Sequence, residues 1–140
     1  MLFKEGFATC MQMRRLRRHN GPGQPVETVK LANLRYPMEM RRGTDDASAV
    51  INNIVREEYG QLDPQLDPVS LIDAGAYIGD TSAYFLSKFP NLRSVALEPN
   101  PDSFEMAAKN LAPYGDRVEL LPQALSAEKG HAFISGREMG

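Results

Sequence analysis

Residues 71 to 80 read "LIDAGAYIGD", an apolar run that ends in an aspartate and is followed by two glycines four positions apart. Glycines at the end of a strand, just before a helix, are the parts of a nucleotide cradle. Glycine opens backbone conformations closed to other residues, and the amides of a helix start face the ligand. Spacing separates two kinds of nucleotide. A dinucleotide turn, G-x-G-x-x-G, needs its second glycine so that the pyrophosphate can touch the backbone. Counting from Gly75, that place falls on Tyr77. The pattern here is D-x-G-x-x-x-G, carried by Asp73, Gly75 and Gly79. It suits a ligand that joins an amino acid to a nucleoside without phosphate, as S-adenosylmethionine does. Glu98 follows 25 residues after Asp73, at the tip of what reads as the next strand. An acceptor-only carboxylate there can take hydrogen bonds from both hydroxyls of a ribose. The plainer reading of Glu98 is an exposed strand-end glutamate.

Such residues need a parallel sheet to hold them, and the pattern beyond residue 68 predicts one. "VSLIDA" is strand-like, and residues 80 to 89 carry Ala83, Leu86 and Phe89 at helical spacing. "SVALEP" at 94 to 99 is a second strand. Asn100 then caps a helix with Pro101 at its first position and Phe104, Ala107, Ala108 and Leu111 along one face. "RVELLPQAL" at 117 to 125 makes a third strand and "HAFIS" at 131 to 135 a short fourth. Strand and helix alternating at this length mean βαβ units.

Upstream, the break "NGPGQP" at 20 to 25 precedes two stretches of period two, Val29 with Leu31 and then Tyr36, Met38 and Met40, which predict a hairpin. Ala47, Val50, Ile51, Ile54 and Glu58 fall at helical spacing behind Asp45 or Asp46 as N-cap, and Tyr59-Gly60 closes that helix. "QLDPQLDP" at 61 to 68 is a linker, since prolines so placed exclude helix and central strand. Residues 1 to 25 form an unassigned N-terminal tail.

A chain of 140 residues is one domain or part of one. Sixteen basic against eighteen acidic side chains leave a net charge of -2, so no overall field draws it to nucleic acid or an anionic membrane, and neither is expected as a partner. The single cysteine, Cys10, excludes an internal disulfide, and His19 and His131 alone make a metal site improbable. No run approaches the roughly 18 apolar residues that span a bilayer. The N-terminal charges follow the apolar residues, the reverse of a secretory signal, so a cytoplasmic location is expected. The cluster Arg14, Arg15, Arg17, Arg18 and His19 can bind an anionic surface, though a solvated helix face or loose tail is the plainer reading.

At "LIDAGAYIGDTS" and "ALEPNPDSFEMAAKNL" the chain resembles the S-adenosylmethionine-dependent methyltransferases. The upstream "MRRGTDD" and "REEYG" resemble the R-x-G-T-x-D and E-Y elements of the FkbM family in particular. The resemblance runs from about residue 28 to 135 and implies an α/β, Rossmann-like class I methyltransferase fold with an N-terminal hairpin and helix. It implies that Asp73, Gly75, Ala76, Tyr77 and Gly79 line the methionine side of S-adenosylmethionine, with Asp80 and Thr81 at the helix start. Glu98 would hold the ribose, with Pro99 and Asn100 flanking the adenine. Arg41, Thr44 and Asp46 either fold over the cofactor pocket or form a helix N-cap with an ion pair. Gln123 and Ala124 either touch the adenine edge or simply end a strand.

The expected function is O-methylation of a small metabolite or saccharide hydroxyl, with no catalytic residue assigned. The alternative is a non-catalytic remnant or interaction module that keeps the half-fold, while a nicotinamide-dependent oxidoreductase is disfavoured by Tyr77. Family members continue through a K-x-D-x-E-G-type strand that this chain lacks, so the domain of residues 26 to 140 is expected to be truncated after its third parallel strand. "LIDAG" would then present an unpaired edge and an uncovered apolar face, and the chain is expected to self-associate. Light scattering at micromolar concentration checks this, and a monodisperse monomer counts against it.

Overall fold

The computed structural model describes residues 2–18, 23–60, 62–63 and 65–131. The expected fourth strand at 131 to 135 falls almost wholly outside them.

Alternation in "MEMR" places Met38 and Met40 on one side of strand β2 (Met38–Arg41), both almost completely buried. It pairs antiparallel with β1 (Val26–Val29), with Val26 opposite Arg41 and Val29 opposite Met38. The predicted hairpin is therefore present, with shorter strands: Leu31 and Leu34 are buried in the connection rather than in a strand.

The segment expected as a tail is instead helix α1 (Leu2–Leu16), broken at Gly6 by a φ of +72°. Met13 and Leu16 are buried in the core. Glu27 of β1 ties the helix down, accepting hydrogen bonds from Gln12, Arg15 and Arg42. Burial works to raise its pKa, but these three donors outweigh it and hold the carboxyl below its usual range.

The predicted helix behind Asp45 is shorter than its periodicity implied. Helix α2 (Asp46–Val50) gives way to a π-helical turn (Ile51–Val55). The Arg56 amide reaches back five residues to the Ile51 carbonyl, and the Ile54 carbonyl takes a hydrogen bond from the Asn33 side chain. Neither expected aspartate caps α2 with its side chain. Asp45 stands at the N-cap without a side-chain bond, and the Thr44 hydroxyl accepts from the Asp46 amide instead.

The second half runs β3 (Ser70–Ala74), α3 (Asp80–Lys88), β4 (Arg93–Leu97), α4 (Pro101–Leu111) and β5 (Val118–Leu121). The strands form a parallel sheet in the order β3-β4-β5, with Asp73 beside Ala96 and Ala96 beside Leu120. The local signals hold. Asn100 Oδ1 accepts from the amides of Asp102 and Ser103, with Pro101 in the first turn of α4. Arg117 closes the other helix, donating to the carbonyls of Leu86, Phe89 and Leu92.

Helices α3 and α4 cover one face of the sheet, and the hairpin lies against α4. Asn110 of α4 joins these layers. Its Oδ1 accepts from the Glu39 amide at 2.8 Å, and its Nδ2 donates to the carbonyls of Glu39 and Ile78. The core fills the space between helices and hairpin with Met38, Met40, Ile54, Ile78, Leu86 and Leu111. On the opposite face of the sheet Ile72 is 69 % exposed. Among the described residues β3 pairs only with β4, and parallel sheets are stable when both faces are covered.

Candidate functional site

The turn after β3 leaves its strand through Gly75, whose φ of +82° lies in the left-handed region that glycine enters freely. Both the Gly75 and Ala76 amides donate to the carbonyl of Leu97, each at 2.8 Å, which pins the turn to the end of β4. Gly79 also has a positive φ, and a Cβ there would lie 2.9 Å from Leu111 Cγ. Leu111 of helix α4 is thus a close neighbour that requires glycine at 79. At Gly75 a Cβ would meet nothing within 4 Å, so that part of the turn borders open space.

Tyr77 sits where a dinucleotide turn would carry its second glycine, and it adopts a glycine-like φ of +53°. A bulky residue in that region costs on the order of 1–3 kcal/mol unless its surroundings hold it. Here they hold both ends. The Tyr77 amide donates to Glu98 Oε2 at 2.8 Å, and the phenol donates to Asp46 Oδ1 at 2.6 Å. The Arg41 guanidinium lies 5.6 Å from the ring centroid.

Asp46 is completely buried and collects several donors. Oδ2 accepts from the Arg41 amide at 2.8 Å and from its Nε at 3.0 Å, while Oδ1 accepts from its Nη2 at 2.9 Å in addition to the Tyr77 phenol. Thr44 closes the loop between them, donating its hydroxyl to the Arg41 carbonyl. Of the two readings open for Arg41, Thr44 and Asp46, the ion pair is present. It also reaches the glycine turn through Tyr77, so the two readings are not exclusive.

Glu98 is 7 % exposed, at the tip of β4. Besides the Tyr77 amide on Oε2, its Oε1 accepts from the Asn100 amide at 2.7 Å. Each oxygen keeps a second lone pair for another donor. Pro99 and Asn100 follow, half-buried, at the start of α4. Asp73 is turned into the helix layer, where Oδ2 accepts from the Ser82 amide at 3.1 Å and its hydroxyl at 2.7 Å. Burial raises its pKa against these two bonds.

Asp80 opens α3 and is 3 % exposed. Its Oδ2 accepts from Asn53 Nδ2 at 2.6 Å, and the same amide reaches Thr81 Oγ1 at 3.4 Å. Burial pushes the Asp80 carboxyl up to about 6, with the Asn53 bond opposing and the nearby Asp73 adding to the rise. Sequence reasoning missed Asn53. Its signal was two adjacent asparagines, poor helix formers, inside an apolar helical stripe. The structure thus gathers Gly75, Ala76, Tyr77, Glu98, Arg41, Thr44 and Asp46 around one turn, with Asp80, Thr81 and Asn53 at the helix start. Gln123 and Ala124 stand exposed beyond β5, and no hydrogen bond among the described residues joins their side chains to the turn.

The donor set fits a phosphate-free nucleoside. A carboxylate with spare lone pairs stands beside open backbone at Gly75, and among the described residues no group of three or more His, Cys, Asp or Glu could hold a metal.

No protein-family model matches the chain. It is 33% identical over 103 residues to an O-methyltransferase, imqG, of Aspergillus flavus, a match covering 70% of this chain and 40% of that protein. It is 41% identical over 56 residues to the ribosomal RNA small subunit methyltransferase H of Rhodococcus jostii, covering 40% of this chain and 17% of that one. The chain therefore spans less than half the length of these relatives. A crystal structure of a SAM-dependent methyltransferase from Agrobacterium tumefaciens superposes with a TM-score of 0.50 at 12% identity, over 74% of this chain and 33% of that one. The parallel βαβαβ unit with its glycine turn between β3 and α3 is a Rossmann-like α/β fold of the kind found in that enzyme.

Proposed function

We propose that these residues form the cofactor-binding half of an S-adenosylmethionine-dependent methyltransferase of the FkbM kind, acting on a hydroxyl of a small metabolite or saccharide. The observation that carries this reading is the convergence of Gly75, Tyr77 and Glu98 at the tips of two adjacent parallel strands. The likeness to an O-methyltransferase over most of the chain supports it and favours oxygen as the acceptor atom.

Glu98 would hold the ribose through its spare lone pairs, with Pro99 and Asn100 beside the base, and Gly75 and Ala76 would border the amino-acid end. Asp80 and Thr81 would flank that end at the helix start. When bound, S-adenosylmethionine supplies a methyl group already activated by its sulfonium. The work of the chain is then orientation, since holding reactants in line removes the entropic part of the barrier. The network from Arg41 through Asp46 to Tyr77 keeps the turn in the shape that orientation needs.

Titration calorimetry with S-adenosylhomocysteine tests the proposal. Micromolar binding is expected, weakened about 10- to 100-fold in Glu98→Gln, because a charge-assisted hydrogen bond contributes about 1.5–3 kcal/mol. Unchanged affinity in that variant would remove Glu98 from the site, and absence of binding to the folded chain would sink the cofactor assignment.

A further inference from the structure

We propose that the outward face of α1 is a docking surface for an anionic lipid bilayer. Among the described residues, the contacts that hold the helix to the body lie on one side. Met13 and Leu16 are buried, and Gln12 and Arg15 are engaged by β1 through Glu27 and the Thr28 carbonyl. Regular turns resume after the break at Gly6 and run to Leu16, followed by a turn at Arg17 and Arg18, whose amides reach the carbonyls of Met13 and Arg15. Positions 7, 11, 14 and 18 are spaced i, i+4, i+7 and i+11, so Phe7, Met11, Arg14 and Arg18 share one stripe. That stripe points away from the core: Phe7 is 72 % and Met11 50 % exposed. Arg14, Arg17 and Arg18 are exposed and form no ion pair among the described residues.

Two large apolar side chains next to unpaired arginines on a pre-formed helix match the two layers of a lipid interface. Phe7 and Met11 fit the boundary between headgroup and acyl chain, and the guanidiniums fit the phosphates and carboxylates above it. Because the chain as a whole carries a charge of -2, the attraction is confined to this patch and orients the molecule. A nucleic acid would meet the same arginines, but it would leave Met11 unused. Base edges also need a hydrogen-bonding side chain, and the neighbouring amide, Gln12, already donates to β1. The net charge gave no reason to expect a membrane partner, and the basic cluster read more plainly as a solvated helix face or loose tail. The packing of α1 changes that, because it collects the basic residues and the apolar pair on one exposed face.

The test is co-sedimentation of the full chain with vesicles of phosphatidylcholine alone and with vesicles containing about one third phosphatidylserine. Binding to the anionic vesicles only, weakened by added salt, is expected. Phe7→Ser with Met11→Ser should lower partitioning about ten-fold at unchanged charge, and Arg14→Gln with Arg18→Gln should remove the preference for anionic lipid. All four positions are exposed, and circular dichroism verifies that the variants fold. Absence of binding, equal binding to neutral vesicles, or full binding by the Phe7/Met11 variant would overturn the proposal. Binding to single-stranded RNA without binding to vesicles would overturn it too.

Discussion

Asp46→Ala is expected to destabilise the protein by about 3–5 kcal/mol, the cost of removing one member of a buried ion pair. The carboxylate is completely buried, takes two side-chain bonds and one backbone bond from Arg41, and receives the Tyr77 phenol as well. Truncation strips the Arg41 guanidinium, itself only 7 % exposed, of that carboxylate in a site water cannot readily enter. The same change removes the hydrogen bond from the phenol of Tyr77, one of the contacts that hold its left-handed backbone. Urea unfolding followed by circular dichroism measures the loss. The control is the pair Arg41→Met with Asp46→Leu, which removes both charges and should recover most of the stability, because taking one member out of a buried ion pair costs more than replacing both with apolar side chains. If the double variant is no more stable than Asp46→Ala, buried charge is the wrong explanation.

Asp80→Asn is expected to stabilise the protein above about pH 6 by up to about 3 kcal/mol and to leave it nearly unchanged below about pH 4. In the folded chain burial raises this carboxyl from 3.8 to about 6. Between those values the native state holds a proton that the unfolded chain has released. Native stability therefore falls as pH rises through that window, and above it the full cost of a buried charge is present. The asparagine variant carries no such charge, and its carbonyl can still accept from Asn53 Nδ2, which now bonds Asp80 at 2.6 Å. Asp73, raised in the same direction by its own burial, leaves a residual slope in both proteins. The informative quantity is the difference in unfolding free energy between variant and wild type, measured at about pH 4 and about pH 8. Parallel profiles would show that Asp80 does not titrate in this range. A carboxylate kept at such a cost beside the glycine turn is consistent with a role in binding, where affinity and stability trade against each other.

How far the sequence could be read depended on the range of the interactions involved. Asn100 and Pro101 were legible as a helix start because a cap is a contact between residues two and three apart. The hairpin and the βαβ units were legible for a similar reason: period two in "MEMR" and period 3.6 in α4 are set by the chain's own geometry. Gly75 and Gly79 were recognised as necessary glycines, and both have positive φ. The neighbour that comes close to Gly79 was not legible, because Leu111 lies 32 positions along the chain.

The site's inner connections were not readable. Asp73 to Ser82, Asn53 to Asp80 and Tyr77 to Asp46 join residues 9, 27 and 31 positions apart. No local pattern encodes which buried polar group will meet which. A buried carboxylate must find donors, and only the packed arrangement of layers decides where they stand. The same holds for α1, where the composition of residues 7 to 18 is compatible with a free tail and burial of Met13 and Leu16 makes it a docked helix. By itself the sequence determined the strand-helix order of the second half and the glycine turn with Glu98 at the next strand tip, since these follow from local sterics and periodicity. The tertiary structure alone decided that Tyr77 can stand in a glycine's conformation. The acceptors holding it there, Glu98 and Asp46, come from different layers of the fold.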